Sequence, residues 1–172
     1  MDTTILDDDR LDAAVLALCA GSPLLRQALD RGLFLADMAT FAETGAALTG
    51  STYVRAAKGP TSLDLDAALR LLVAQGRLKR TEEYAYGSLM VSFLSIEPYD
   101  LRALSETEIE LLATVGRHVR GGREPAMARL LVDETVGSFA QGEEIPYDTA
   151  WELLPFEAPI RERQGIREPA YA

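Results

Sequence analysis

The chain has one cysteine, Cys19, and one histidine, His118, among 172 residues. A lone cysteine forms no internal disulfide, which fits a reducing compartment. A zinc site draws on several thiolate or imidazole ligands, so no metal is expected. A Cys-His nucleophile pair would have to be assembled from these two distant residues. His118 falls instead in the basic run from Arg117 to Arg123, where a surface position is expected. No apolar run reaches membrane-spanning length. The acidic start, Met1 to Arg10, lacks the basic residues and apolar segment of a secretory signal. No membrane partner and a cytoplasmic location are therefore expected. Gly45 to Gly50 lacks the Gly-Lys-Ser/Thr ending of a phosphate loop. Asp7, Asp8, Asp9 and Asp12 lack the glycine and terminal glutamate of an EF-hand loop, and read as a solvated helix cap. Glu143 and Glu144 are adjacent, so their side chains diverge rather than forming an acid-base pair. The expectation is no enzyme, no cofactor and no catalytic residues.

Positive charge is also short. There are 17 Lys and Arg against 27 Asp and Glu, a net charge of −10. Nucleic-acid binding draws on phosphate neutralisation by Lys and Arg, so nucleic acid is a poor partner for this chain. A basic protein partner would be steered toward it.

What is present is a mostly helical pattern of single-domain length. Leu11, Ala14, Val15 and Leu18 share one helical face, with Leu16 off it and an aspartate as cap. Ser22 and Pro23 are placed to open the next helix, which runs through Leu25 and Leu29, with Gly32 as a break or bend. Thr61 to Asp64 reads as a cap before Leu65, Ala68, Leu69, Leu72 and Val73, and Gly76 closes that helix. Arg77 to Thr81 and Ser88 to Ile96 read as two strands with a tip at Glu82 to Gly87. Ser105 and Glu108 make a capping box for a helix bearing Ile109, Leu112, Val115 and Val119. Pro125 opens a shorter helix with Met127, Leu130 and Leu131. Tyr147 to Leu154 reads as a last helical piece with Trp151 inward. Residues 1–154 are then one domain, and 155–172 a loosely held tail.

The chain is organised around residues 32–60. Leu33, Phe34, Met38 and Phe41 form one apolar face, and Gly45 can take the left-handed conformation that ends a helix. Leu48 to Val54 turn into a short extended piece, and Lys58-Gly59-Pro60 is a turn. Asp37 is a single carboxylate on an apolar turn of helix, followed by a turn rich in donors. It is expected to bond the Thr49-to-Arg55 segment, or to pair with an arginine such as Arg55. The expected core is Leu33, Phe34, Met38, Phe41, Leu69, Leu72, Leu112 and Trp151. Basic residues gather in two groups, Arg70, Arg77, Lys79 and Arg80, and Arg117, Arg120 and Arg123. Solvated faces are the default reading for both.

Leu-Phe-Leu-Ala-Asp37, Glu-Thr-Gly45, Leu-Thr-Gly50-Ser-Thr-Tyr53-Val-Arg, Lys58-Gly59-Pro60 and Gly142-Glu-Glu-Ile145-Pro146-Tyr147, in this order and spacing, resemble the Panacea domain, the SocA-like antitoxin family. The matches span about residues 30–150. The family's Ser-His ahead of Gly-Trp is replaced by Leu131, Val132, then Gly137 and Ser138, and its more common Tyr-Gly-Pro by Lys-Gly-Pro. The resemblance implies a protein-binding antitoxin or proteolytic adaptor that neutralises a cognate toxin, with a AAA+ protease as a second partner. It implies contact through Asp37, Thr49, Gly50, Tyr53, Lys58, Gly59, Pro60, Ile145, Pro146 and Tyr147, with the hairpin tip at Tyr84 and Tyr86 or the Arg117-to-Arg123 face as alternative surfaces. The expected fold is mainly α with some α+β character: one compact helical domain with one small β-hairpin resembling a wing. Three rivals remain open. One is a winged-helix DNA-binding regulator, resting on Leu65 to Ile96. The second is an enzyme with a site built from dispersed carboxylates, which an apolar pocket with converging acids would revive. The third is a phage or prophage protein using the same domain for another interaction.

Overall fold

Asp7 opens the first helix by accepting the Arg10 amide at 3.1 Å, and Asp8 and Asp9 add negative charge to its first turn. This helix, α1, spans Asp8–Leu18. Its burial is not one-sided. Leu16 and Ala13 are buried along with the expected face, because α1 is packed by other helices and by a strand. The Leu16 carbonyl accepts the Ser95 hydroxyl at 2.7 Å from that strand. The computed structural model describes residues 4–121 and 133–153. The helix expected from Pro125 and the tail from Pro155 lie outside them.

Ser22 does not cap the second helix. Leu24–Leu25 (β1) is drawn into pairing with Phe93 and Ser92, so Leu25 takes the cap position with no side-chain bond. The helix itself, α2, runs unbroken over Arg26–Thr44. Gly32 does not break it. A Cβ built there would stand 3.4 Å from Leu18 and 3.5 Å from Val119, ordinary contact distances, so the position faces neighbouring helices. Gly45 ends α2 in the left-handed conformation (φ 76°), as expected, and its amide bonds the Phe41 carbonyl at 2.8 Å.

The expectation of a helical domain with a single hairpin is overturned. The fold is α+β, with two three-stranded antiparallel sheets. In the first, β1 pairs with β5 (Ser88–Ser95), which pairs with β4 (Leu78–Ala85). In the second, β2 (Tyr53–Ala56) lies between β3 (Gly59–Ser62) and β6 (Glu144–Ile145). The reason for the difference is local. Strands β1 and β6 have two residues each and show no periodicity; they exist only through distant partners. Strand β3 begins Gly59-Pro60, a pair that reads as a turn.

Two further expectations change. Thr61 is a strand residue, and the first turn of α3 (Leu65–Ala74) has no Thr61 cap. Asp64 instead turns back to accept the Thr52 amide at 2.8 Å and the Ser51 hydroxyl at 3.1 Å. The last element among the described residues is a 3-10 helix, Tyr147–Leu153, which buries Thr149, Ala150 and Leu153 and leaves Trp151 52% exposed. The expected core otherwise forms: Leu33, Phe34, Met38, Leu69, Leu72 and Leu112 are buried, while Phe41 is only partly so. The capping box is present in both directions at the start of α4 (Glu106–Gly121). The Ser105 amide reaches Glu108 Oε2 at 2.8 Å, and the Glu108 amide reaches Ser105 Oγ at 3.2 Å.

Candidate functional site

Asp37 sits mid-way along α2 and is completely buried. Its Oδ1 accepts the Thr49 amide at 2.6 Å, and its Oδ2 accepts the Thr49 hydroxyl and the Tyr53 phenol, each at 2.6 Å. Burial raises the pKa of the Asp37 carboxyl from its ordinary value, and these donors oppose the shift. Burial, followed by the nearby Asp37 charge, raises the pKa of Tyr53 and of Tyr147, so both phenols remain donors. Arg55 is not the partner of Asp37. Its guanidinium goes to the Phe139 carbonyl at 2.5 Å, because β2 carries it toward the 138–143 loop.

The motif residues that lie far apart in the chain meet here. Tyr53 is paired with Ile145 across β2 and β6, and the Tyr147 hydroxyl bonds the Ser51 carbonyl at 2.6 Å. Tyr53 also stacks edge-on against Phe34, with ring centroids 5.3 Å apart. Asp37, Thr49, Gly50, Tyr53, Pro60 and Ile145 are buried. Lys58 and Pro146 are exposed, and Gly59 and Tyr147 partly so. The arrangement therefore joins α2, β2 and β6 from within, and only its outer members can touch another molecule.

Gly50 is held from the other side. Its φ is +76°, and a Cβ built there would stand 2.2 Å from the Ile5 carbonyl oxygen. The N-terminal segment is fastened beside it by the Asp7 amide to the Thr49 carbonyl at 2.9 Å. Gly50→Ala is expected to cost about 2–4 kcal/mol, the left-handed penalty plus overpacking against backbone. Urea denaturation measures it, and a change within about 0.5 kcal/mol, as at ordinary surface positions, would refute the clamp.

A second feature is open to solvent. A groove of about 1040 Å³ lies between α3, the inner face of β4–β5, and the β2–β3 turn. Its apolar lining includes Leu25, Leu69, Val73, Val91 and Phe93; Lys58 and Pro60 lie at one side. The hairpin ends in exposed Tyr84 and Tyr86, with Leu89 following. The groove is not among the sequence-based expectations, although one signal points to it: the period-two face Leu89, Val91, Phe93 has no matching cover. Of the basic residues singled out, Arg70 and Arg80 line the groove. Arg77 stands 4.0 Å from Asp12. Arg120 bonds the Leu18 and Ser22 carbonyls where α1 ends, which is a structural role. Cys19 is buried, and its thiol is pushed up to about 12 by that burial, which keeps it from acting as a thiolate. Among the described residues no group of three or more His, Cys, Asp or Glu is arranged to hold a metal ion. No helix among them is long and apolar enough to cross a membrane.

Fold and site together define an α+β protein with an internal carboxylate centre under the 49–53 turn and an open apolar groove beside a projecting hairpin. No family model, curated protein or solved structure matches the chain.

Proposed function

We propose that this protein is a protein-binding antitoxin or proteolytic adaptor, which neutralises a cognate toxin by direct contact and, as an adaptor, passes it to a AAA+ protease. The observation that carries the reading is the open groove with the hairpin tip beside it. An apolar concavity next to exposed tyrosines suits a protein partner, since tyrosine anchors recur at interfaces. Tyr86 is fully exposed and holds φ at +51°, a conformation that favours glycine or asparagine. The backbone is set by the two-residue hairpin turn Tyr86-Gly87, in which both residues are left-handed, and the ring at its tip is left free for a partner. The net charge of −10 supports steering toward a basic toxin. The resemblance of residues 32–60 and 142–147 to the Panacea domain supports the antitoxin role, although most of those residues act inside the fold.

The test is co-expression with the product of the neighbouring gene. Growth rescue and co-purification are expected, and both should be lost with Tyr84→Ala combined with Tyr86→Ala while the thermal midpoint stays unchanged. Absence of both rescue and co-purification would sink the proposal. Rescue that survives the tyrosine changes but fails with Lys58→Glu would move the contact from the hairpin to the β2–β3 turn.

A further inference from the structure

We infer that the groove between α3 and the β4–β5 face takes an acidic segment of a protein partner, one that also carries apolar side chains. The inference borrows its protein partner from the proposed function, but its chemistry comes from the groove alone. Four basic side chains, Arg26, Lys58, Arg70 and Arg80, line the groove against two acidic ones, Asp30 and Asp66. The local balance is positive, whereas the whole chain is strongly negative.

The two acids are already engaged. Asp30 Oδ2 accepts from Arg26 Nε at 3.1 Å, and its Oδ1 accepts the Ser62 amide at 3.1 Å. Asp66 pairs with the other arm of Arg26. Arg26 is thus neutralised within the molecule, and it ties the start of α2 to the start of α3. Lys58, Arg70 and Arg80 are left to face an occupant. Arg70 bonds the Asp66 backbone carbonyl at 3.3 Å, which takes none of its charge. Arg80 pairs with Glu82 along its own strand, but both are exposed and the pair is screened.

Between these charges the surface is apolar. Val73, Met90 and Val91 are partly exposed and Leu25 more so, an area that water covers poorly. An occupant must therefore bring apolar side chains and negative charge together. The groove is slightly larger than the roughly 300–1,000 Å³ typical of small-ligand sites and is partly open to solvent, which leaves room for a peptide segment. A basic toxin steered by the overall field would thus dock through an acidic stretch of its own, which fixes its orientation.

The full-length protein is immobilised and a displayed library of random 12-residue peptides is panned against it. Enriched binders are expected to be rich in Asp and Glu interleaved with Leu, Ile or Phe. Their affinity should fall by about tenfold or more with Arg70→Glu combined with Arg80→Glu, and with added salt. Both residues are exposed, and an unchanged thermal midpoint verifies the fold. Neutral or basic binders, binders indifferent to the charge reversal, or no enrichment would each overturn the inference. So would displacement of enriched peptides by duplex DNA alone, or a concentration-dependent dimer abolished by the same reversal. If the neighbouring toxin binds but ignores the reversal, the groove inference fails and the antitoxin reading stands. Acidic binders without toxin binding would leave the groove inference standing and remove the antitoxin reading.

Discussion

Asp37→Ala is expected to lower stability by about 3–5 kcal/mol, the cost of leaving several buried donors without their acceptor at about 1–3 kcal/mol each. Three donors lose their acceptor at once: the Thr49 amide, the Thr49 hydroxyl and the Tyr53 phenol. None has water close at hand, because Thr49 and Tyr53 are themselves buried. Equilibrium urea denaturation gives the value, and a loss below about 1 kcal/mol would show that the centre does not hold α2 to the 49–53 turn.

The same carboxyl has a definite pH signature. Burial raises the folded pKa of Asp37 above its unfolded value. The fold therefore prefers the neutral form, and ionisation costs the folded protein more than the unfolded chain. The contribution of Asp37 is fully present below the unfolded pKa of about 4 and is reduced as pH rises through the higher folded value. Asp30 and Asp12 shift in the same direction, so the wild type alone would mix the three. Comparison with an Asp37→Asn variant cancels the other two. The stability advantage of the wild type over that variant should be wider near pH 4 than near pH 7, and a gap that widens with rising pH would contradict the assignment.

Phe34→Ala is expected to cost about 3–5 kcal/mol, as for other fully buried aromatic truncations. Phe34 lies on α2 with no exposed surface, and its ring meets the ring of Tyr53. Its loss would leave a cavity beside the Asp37 centre and remove the edge-on contact that orients the phenol. Two other aromatics serve as graded controls. Phe41 is partly buried and rests on Tyr147 and Trp151, so Phe41→Ala should cost less than Phe34→Ala. Trp151 is half-exposed, and its replacement should fall nearer the small effects typical of surface positions. Equal losses at all three positions would mean that the burial order is wrong.

The sequence by itself determined the core-facing sides of α2, α3 and α4 and the tie at Asp37. Apolar spacing placed Leu33, Phe34 and Met38 inside, because a face that recurs every 3.6 residues must be covered. Gly45, Gly76 and the Ser105–Glu108 box marked helix ends, because left-handed backbone and free amides have few local solutions. A carboxylate among apolar residues had to find donors, and the next loop supplied them. Tertiary structure decided what has no local cause. It made strands of Leu24–Leu25 and Glu144–Ile145, which pair only with residues far along the chain. It buried Leu16 from the far side, turned Trp151 outward, and sent Arg55 to Phe139 rather than Asp37. It also brought Lys58, Arg70 and Arg80 around one groove, giving a negative chain a positive recess. Net charge is additive along the sequence, but the local field depends on which side chains folding brings together.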